Sequence, residues 1–366
     1  MTERQLDAIK VEGFTSIRSA TIPLGRLNVL VGANGAGKSN LVHAFEMLGR
    51  IVDGELGLFV GMNGGASALS RRQRDTEGIR PEVRSDPNRY VAELIPAAND
   101  ELIFGQEWVS YQADGYDRPY DKSLGRGQRE SRLPESQESN RIAAHVSRVL
   151  EGCRVFHFHD TSATAPVKQF VDVGDNLALR RDAGNLAAVL LDLQDSHPAS
   201  YRRIVGGICQ VAPFFRDFVL QPESGGRIRL RWRETDSDAV FSANQMSDGT
   251  LRFVCLTTLL LHPRLPMLVV LDEPELGLHP YAIVALAGLL RQASVHSQVL
   301  IATQSVTLMN QMSLEDLIIV ERRGGESVFT RPDPEELGDW LQDYSLGELW
   351  EKNLIGGRPT GTGRDG

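Results

Sequence analysis

The chain has 366 residues, 41% of them hydrophobic and 24% charged, and its formal net charge is −9. Length and composition suit a globular α/β protein with a substantial core, while the acidity excludes nucleic-acid binding by overall charge and leaves only a local basic surface for it. Cys153, Cys209 and Cys255 form no C-x-x-C pair, the N-terminus lacks a signal-peptide apolar stretch, and the longest apolar run, Leu251 to Leu271, is broken by Arg252, His262, Pro263, Arg264 and Pro266, so the expectation is a cytoplasmic protein with no disulfide framework, zinc knuckle or membrane span.

Residues 7–31 are expected to form strands, the last being the apolar run Leu27 to Val31 that stops at a glycine. A helix follows from Ser39 to about Leu48, with Leu41, Phe45 and Leu48 on one face. Residues 54–87 show no period and suggest loops and short elements. Two alternating runs between Tyr90 and Tyr111 flank Ala98, Asn99 and Asp100 and predict a hairpin. The polar stretch 112–138 predicts an exposed, mobile loop. Helices are expected at 137–151, 184–195 and 199–210, and a strand at Val155 to Phe158.

Residues 217–243 predict antiparallel strands, followed by a helix from Asp248 to Leu261 and a buried strand from Met267 to Leu271. Pro280 suits the first turn of another helix. Strands are expected at Gln298 to Ala302 and Leu317 to Val320, with a turn at Arg322 to Gly325. Ser345 and Glu348 form a capping box for a last short helix, and 356–366 is expected to be a disordered tail. No repeat or heptad pattern occurs, so no long coiled-coil arm is expected.

Three motifs carry chemistry. The first, GANGAGKS at Gly32 to Ser39, matches G-x-x-x-x-G-K-[ST] in full, between an apolar strand and an amphipathic helix. Its glycines let the backbone wrap phosphate, and the helix N-terminus supplies amide donors. Lys38 should reach the β- and γ-phosphates of ATP, and the Ser39 hydroxyl should ligate Mg²⁺. The nucleotide-binding set is Gly32, Asn34, Gly35, Gly37, Lys38, Ser39 and Asn40. The second, MLVVLDEPELGLHP from Met267 to Pro280, delivers Asp272 and Glu273 to the C-terminal edge of a buried strand, where open α/β sheets bind ligands. Asp272 is the expected Mg²⁺ ligand and Glu273 the residue that orients the attacking water. The third, NQMSDGTLRF from Asn244 to Phe253, puts Ser247 and Gly249 at a helix start, either a second phosphate contact or a plain N-cap.

The order of P-loop, Ser-Asp-Gly-Thr turn, Asp-Glu-Pro strand, Glu-Leu-Gly-Leu-His-Pro loop and Ala-Thr-Gln-Ser strand resembles ABC-like ATPase heads of the RecF/SMC/OLD group, in particular its short stand-alone members. The resemblance covers nearly the whole chain. It implies an α/β P-loop NTPase fold: an ABC-like head with a mixed central sheet, an antiparallel β subdomain and a helical and loop insertion. The expected parts of a single head over 1–355 are a P-loop lobe at 1–53, an insertion at 54–216, the signature, acidic and switch elements at 217–332, and C-terminal helices at 333–355. The resemblance also implies Mg²⁺-dependent ATP hydrolysis coupled to head dimerisation. Two heads would sandwich two ATPs, with Ser247 and Gly249 acting in trans and residues 275–279 lining the seam of a homodimer.

Two departures from the family pattern matter. Ser-Asp-Gly in place of the transporter Ser-Gly-Gly argues against a transport ATPase. Gln304 stands where many ABC ATPases carry a switch histidine; it can donate a hydrogen bond to a γ-phosphate but holds no charge, which implies slow turnover. The implied role is DNA repair, maintenance or defence against foreign DNA. The alternative is an ATP-binding regulatory module with negligible hydrolysis that controls a separately encoded effector. No TOPRIM nuclease domain is expected.

Weaker features stay open. Arg227, Arg229, Arg231 and Arg233 alternate with apolar residues and would share one strand face, either tracking DNA phosphates or forming a solvated face. Arg71, Arg72, Arg74, Arg126, Arg129 and Arg132 sit in expected loops, as a DNA-facing rim or as solubilising charges. His157 and His159 alternate with Phe156 and Phe158 and would share a strand face, which beside Asp160 suggests a metal site, but no third ligand elsewhere has recognisable spacing, which favours a structural role.

Overall fold

Alternation of apolar and polar residues sets the first two strands, β1 (Ala8–Phe14) and β2 (Ile17–Pro23). The computed structural model describes residues 5–71, 78–112, 118–337 and 340–357. Strand β3 (Leu27–Val31), buried at all five positions, leads into helix α1 (Lys38–Asp53), followed by α2 (Leu56–Met62) and α3 (Ala66–Leu69). Next come β4 (Arg80–Ser85), β5 (Asn88–Pro96), β6 (Leu102–Tyr111) and β7 (Tyr120–Gly125), then α4 (Leu133–Ser136), α5 (Arg141–Glu151), β8 (Cys153–Phe156) and β9 (Val171–Asp172). Helices α6 (Leu186–Ser196) and α7 (Pro198–Val211) precede β10 (Phe215–Phe218), β11 (Arg227–Ile228), β12 (Arg231–Glu234) and β13 (Val240–Ser242). The chain continues through α8 (Asp248–Leu260), β14 (Leu268–Asp272), α9 (Pro280–Ser294), β15 (Gln298–Thr303) and α10 (Val306–Met309). It ends with β16 (Leu317–Arg323), β17 (Glu326–Thr330), α11 (Pro334–Leu337), α12 (Trp340–Asp343) and α13 (Leu346–Glu351).

These elements sort into two compact units, one of residues up to Arg154 with those from Ser313 onward, the other Val155–Met312. The expected insertion 54–216 is therefore shared between both. In the first unit, an antiparallel sheet runs in the order β2-β1-β4-β5-β6-β7. Beside it, β16 runs parallel to β3 and antiparallel to β17, which makes the strand arrangement mixed.

Two expectations in this unit are corrected. Within 54–87, β4 is a full strand paired on both sides, with β1 and β5. Its sequence hides this because Glu82 is buried; Arg89 on β5 satisfies it with a 2.6 Å bond. Within 112–138, residues 118–138 are not a mobile loop. Strand β7 pairs with β6, and the buried Glu107 carboxylate accepts from Tyr90 Oη (2.8 Å), Gln128 Nε2 (3.0 Å), the Arg132 amide (2.9 Å) and Ser131 Oγ. Four donors on one buried carboxylate offset its desolvation, and three of them, from Gln128, Ser131 and Arg132, pin the segment. The helix expected from 137 begins at Arg141, where Asn140 caps it by accepting from the Ile142 and Ala143 amides. The predicted capping box at Ser345 and Glu348 is present.

In the second unit, parallel strands β14 and β15 pair over Leu268–Asp272, and α8 and α9 pack together. The antiparallel sheet β10-β12-β13 is held by Phe215, Phe218, Trp232 and Phe241, whose ring centroids lie 4.8–6.0 Å apart. The alternating arginines do not share one strand. The chain leaves β11 at Ile228 and enters β12 at Arg231, so Arg227 and Arg229 lie over the Phe170 ring, Arg229 pairs with Glu223, and Arg231 donates to the Gln221 carbonyl. Strand β8 ends at Phe156, so His157 and His159 do not share a strand face either, and no cluster of three or more His, Cys, Asp or Glu suited to a metal ion occurs among the described residues. All three cysteines are free; burial raises the Cys153 and Cys255 thiols to about 12. Among the described residues no helix is long and apolar enough to cross a membrane. Arg72 and Arg74 lie outside the described residues, as does the tail beyond Gly357.

Candidate functional site

The motif residues fall into both units. In the first, β3 delivers the chain to the glycine-rich loop, and α1 starts at Lys38 with Gly37 as its N-cap. Gly35 and Gly37 have φ of 78° and 109°, which L side chains rarely adopt, so glycine is required at both. Gly32 is required for another reason: a Cβ there would lie 2.2 Å from the Val320 carbonyl oxygen of β16. Lys38 is buried, and its Nζ donates to the carbonyls of Gly32 (2.8 Å) and Ala33 (3.1 Å), so the ammonium is held across the loop. Ser39 follows in the first turn of α1. The positive end of this 16-residue helix and the ammonium together favour an anion at the loop.

Asn40 Nδ2 donates to Ser16 Oγ at 2.5 Å, in the turn between β1 and β2. Asn34 is exposed in the loop. Two contacts to the loop escaped the sequence reading. Arg322 and Ser327, opposite each other in the β16–β17 hairpin, donate to the carbonyls of Gly35 (3.2 Å) and Ala36 (2.6 Å). Gly357 also departs from the expected disordered tail, accepting from the Ala33 amide at 2.8 Å and donating to Glu321 at 2.9 Å.

In the second unit, β14 ends at Asp272, and Oδ1 of that residue is buried with no hydrogen-bond partner among the described residues. An orphaned buried carboxylate oxygen is costly unless a proton or cation meets it, and a hard divalent ion such as Mg²⁺ fits a carboxylate donor. Glu273 follows in a strained left-handed conformation (φ 43°), its backbone N–H donating to the Ala302 carbonyl at 2.8 Å. That twist turns its side chain off the strand, where Gln304 Nε2 donates to its Oε1 at 3.2 Å. The structure thus brings Asp272, Glu273 and Gln304 together on neighbouring strand ends.

Glu275, the first residue of the loop expected to line the seam, is buried. Its Oε1 accepts from Thr303 Oγ1 while Oε2 has no partner among the described residues. Burial, reinforced by the Glu273 charge, raises its pKa above the ordinary carboxylate value.

Ser247 caps α8, accepting from the Thr250 amide at 3.3 Å. Gly249 packs against the loop after β14, since a Cβ there would lie 2.5 Å from the Gly277 carbonyl oxygen. From the next turn of α8, Arg252 donates to the Leu276 and His159 carbonyls, both at 2.9 Å. The signature turn and the 275–279 loop therefore form one packed block.

Residues 27–310 match the family described as "AAA domain, putative AbiEii toxin, Type IV TA system". A crystal structure of an SmcHead bound to the C-winged helix domain of ScpA is similar at a TM-score of 0.59 with 16% identity, covering 89% of this chain and 97% of that one. An Smc head domain with an extended coiled coil, bound to the C-terminal domain of ScpA derived from Pyrococcus furiosus, is similar at a TM-score of 0.57 with 16% identity, covering 93% of this chain and 99% of that one. At that identity the likeness shows the fold, an α/β P-loop ATPase head. No curated protein matches.

Proposed function

The chain belongs to the AAA-domain family whose profile spans residues 27–310, and from that premise we propose that it binds ATP at Gly32 to Ser39 and hydrolyses it with Glu273 as the residue that orients water. The observation that carries this reading is the pairing of an orphaned Asp272 oxygen with a left-handed Glu273 whose carboxylate is held by Gln304. Strain of that kind, of order 1–3 kcal/mol, persists where surrounding structure enforces it, and it concentrates at functional positions.

Lys38 and the α1 amides bind and orient the phosphates in this reading. Ser39 and Asp272 are the residues that would hold magnesium, which when bound offsets phosphate charge. Glu273 positions water and accepts its proton. Gln304 keeps the Glu273 carboxylate in place and stays neutral at every pH, which suits slow turnover. Ser247, Gly249 and the 275–279 loop are assigned to the nucleotide of a second copy; Leu276 and Tyr281 are 45% and 59% exposed, apolar surface suited to a partner. The family description names a toxin of a type IV toxin–antitoxin system, and the Smc heads were solved with a protein partner. Both descriptions support our reading of a role in defence or DNA maintenance, with a protein effector.

One observation favours a second reading. The Gln304 amide occupies an oxygen of Glu273 and supplies no charge, as suits an ATP-gated scaffold with negligible hydrolysis. Phosphate release by the parent and by Glu273→Gln, at saturating ATP and magnesium, separates the two. Hydrolysis predicts a loss of roughly 10²–10⁴-fold in the variant with nucleotide binding retained. Equal rates leave only the scaffold.

A further inference from the structure

The Ser327 hydroxyl sits at the end of a buried hydrogen-bond chain behind the P-loop. Ser327 and Ser16 are 3% and 7% exposed. Asn40 Nδ2 lies 2.5 Å from Ser16 Oγ, which lies 2.6 Å from Ser327 Oγ, which lies 2.6 Å from the Ala36 carbonyl oxygen. The carbonyl can only accept, so the single Ser327 proton goes to it. Ser327 must then accept from Ser16, and Ser16 from Asn40. The chain runs one way, and each hydroxyl donates once and accepts once, an arrangement in which the bonds reinforce one another.

The consequence lies in the peptide plane it grips. In a trans peptide the carbonyl and the following N–H point in opposite directions. Drawing the Ala36 carbonyl onto Ser327 therefore aims the Gly37 N–H away from the hairpin; that N–H has no protein acceptor among the described residues. The neighbouring plane obeys the same rule: Arg322 holds the Gly35 carbonyl while the Ala36 amide turns to Ala33 at 3.2 Å. Nothing in the covalent chain enforces this. Glycine at 37 tolerates φ of either sign, so the Ala36–Gly37 peptide can flip and present a carbonyl where a phosphate oxygen would sit. Gly37 also makes room for the lock, since a Cβ there would come 1.9 Å from Ser327 Oγ and 2.9 Å from Ser16 Oγ.

We propose that Ser327, backed by Ser16 and Asn40, is a positioning residue that holds the Ala36–Gly37 peptide with its N–H turned to nucleotide phosphate, and so sets ATP affinity. The inference rests on the nucleotide-binding reading above and adds to it a second loop-to-hairpin device. It differs from a packing role in what it moves: affinity for phosphate falls while turnover at saturation is spared.

The test is equilibrium binding of Mg·ATP, with steady-state KM and kcat, on the full chain for the parent, Ser327→Ala, Ser16→Ala, the double variant, Arg322→Ala and Lys38→Ala. Ser327→Ala is expected to bind about tenfold more weakly, with the loss in KM rather than kcat. The double variant should be no weaker than Ser327→Ala, because the chain is already broken. Arg322→Ala, at an exposed position that does not threaten folding, should bind about threefold more weakly. If Ser327→Ala and Arg322→Ala both bind as the parent does while Lys38→Ala does not, the positioning role is wrong and the P-loop reading stands. A parent that retains no ATP, or Lys38→Ala matching it, removes the binding site and this inference together.

Discussion

At the residue scale, three carboxylates within four positions have separate fates. Asp272 keeps an orphaned oxygen, Glu273 is turned out by a left-handed backbone, and Glu275 is buried against Thr303. For Glu275 the folded-state pKa is raised, so the folded chain keeps its proton to a higher pH than the unfolded chain does. Stability must then fall as pH rises from the ordinary carboxylate range through the raised value. Glu275→Gln removes the titration and should flatten that slope, gaining on the parent as pH rises across the window. Urea melts at a series of pH values measure it; parallel slopes for parent and variant would show that Glu275 ionises as freely in the fold as out of it.

At the scale of elements, the signature turn and the loop after β14 act as one block because two backbones touch at glycine. Gly249→Ala places a Cβ 2.5 Å from the Gly277 carbonyl oxygen, and neither backbone can yield cheaply. The variant should lose on the order of 1–3 kcal/mol of stability, and its turnover should fall while the P-loop, in the other unit, still binds ATP. Normal melting and turnover would mean the contact is not tight in solution. The elements themselves were legible wherever one local rule decided them: the Leu27–Val31 run, the Pro280 helix start, the hairpin around Asn99 and the Ser345 capping box. They were obscure where a distant partner decides. Glu82 sits in a strand with Arg89 to meet it, and 118–138 is ordered by β7 pairing with β6 and by three of its residues donating to Glu107. Arginine alternation from 227 to 233 promised one strand, but the Phe170 ring and Glu223 claim Arg229 between two short ones. The same distinction holds at the site. Lys38, Asp272 and Glu273 stand in motifs whose spacing shows, whereas Ser327 and Arg322 act from a hairpin nearly three hundred residues along the chain and carry no local signature.

At the scale of the molecule, the proposed assignment of Ser247 and Gly249 to the nucleotide of a second copy makes association of copies depend on ATP. Under this account the Glu273→Gln protein, which binds ATP without consuming it, should sediment as a dimer with Mg·ATP and as a monomer without it. A monomer under both conditions would confine the nucleotide to one copy and leave Ser247 and Gly249 as ordinary helix-start residues.

The most direct measurement is phosphate release at saturating Mg·ATP by the parent beside Glu273→Gln, with bound nucleotide quantified in both. The account predicts full nucleotide occupancy in each and release that collapses in the variant. Release that is unchanged by Glu273→Gln, or nucleotide retained by neither protein, would contradict it.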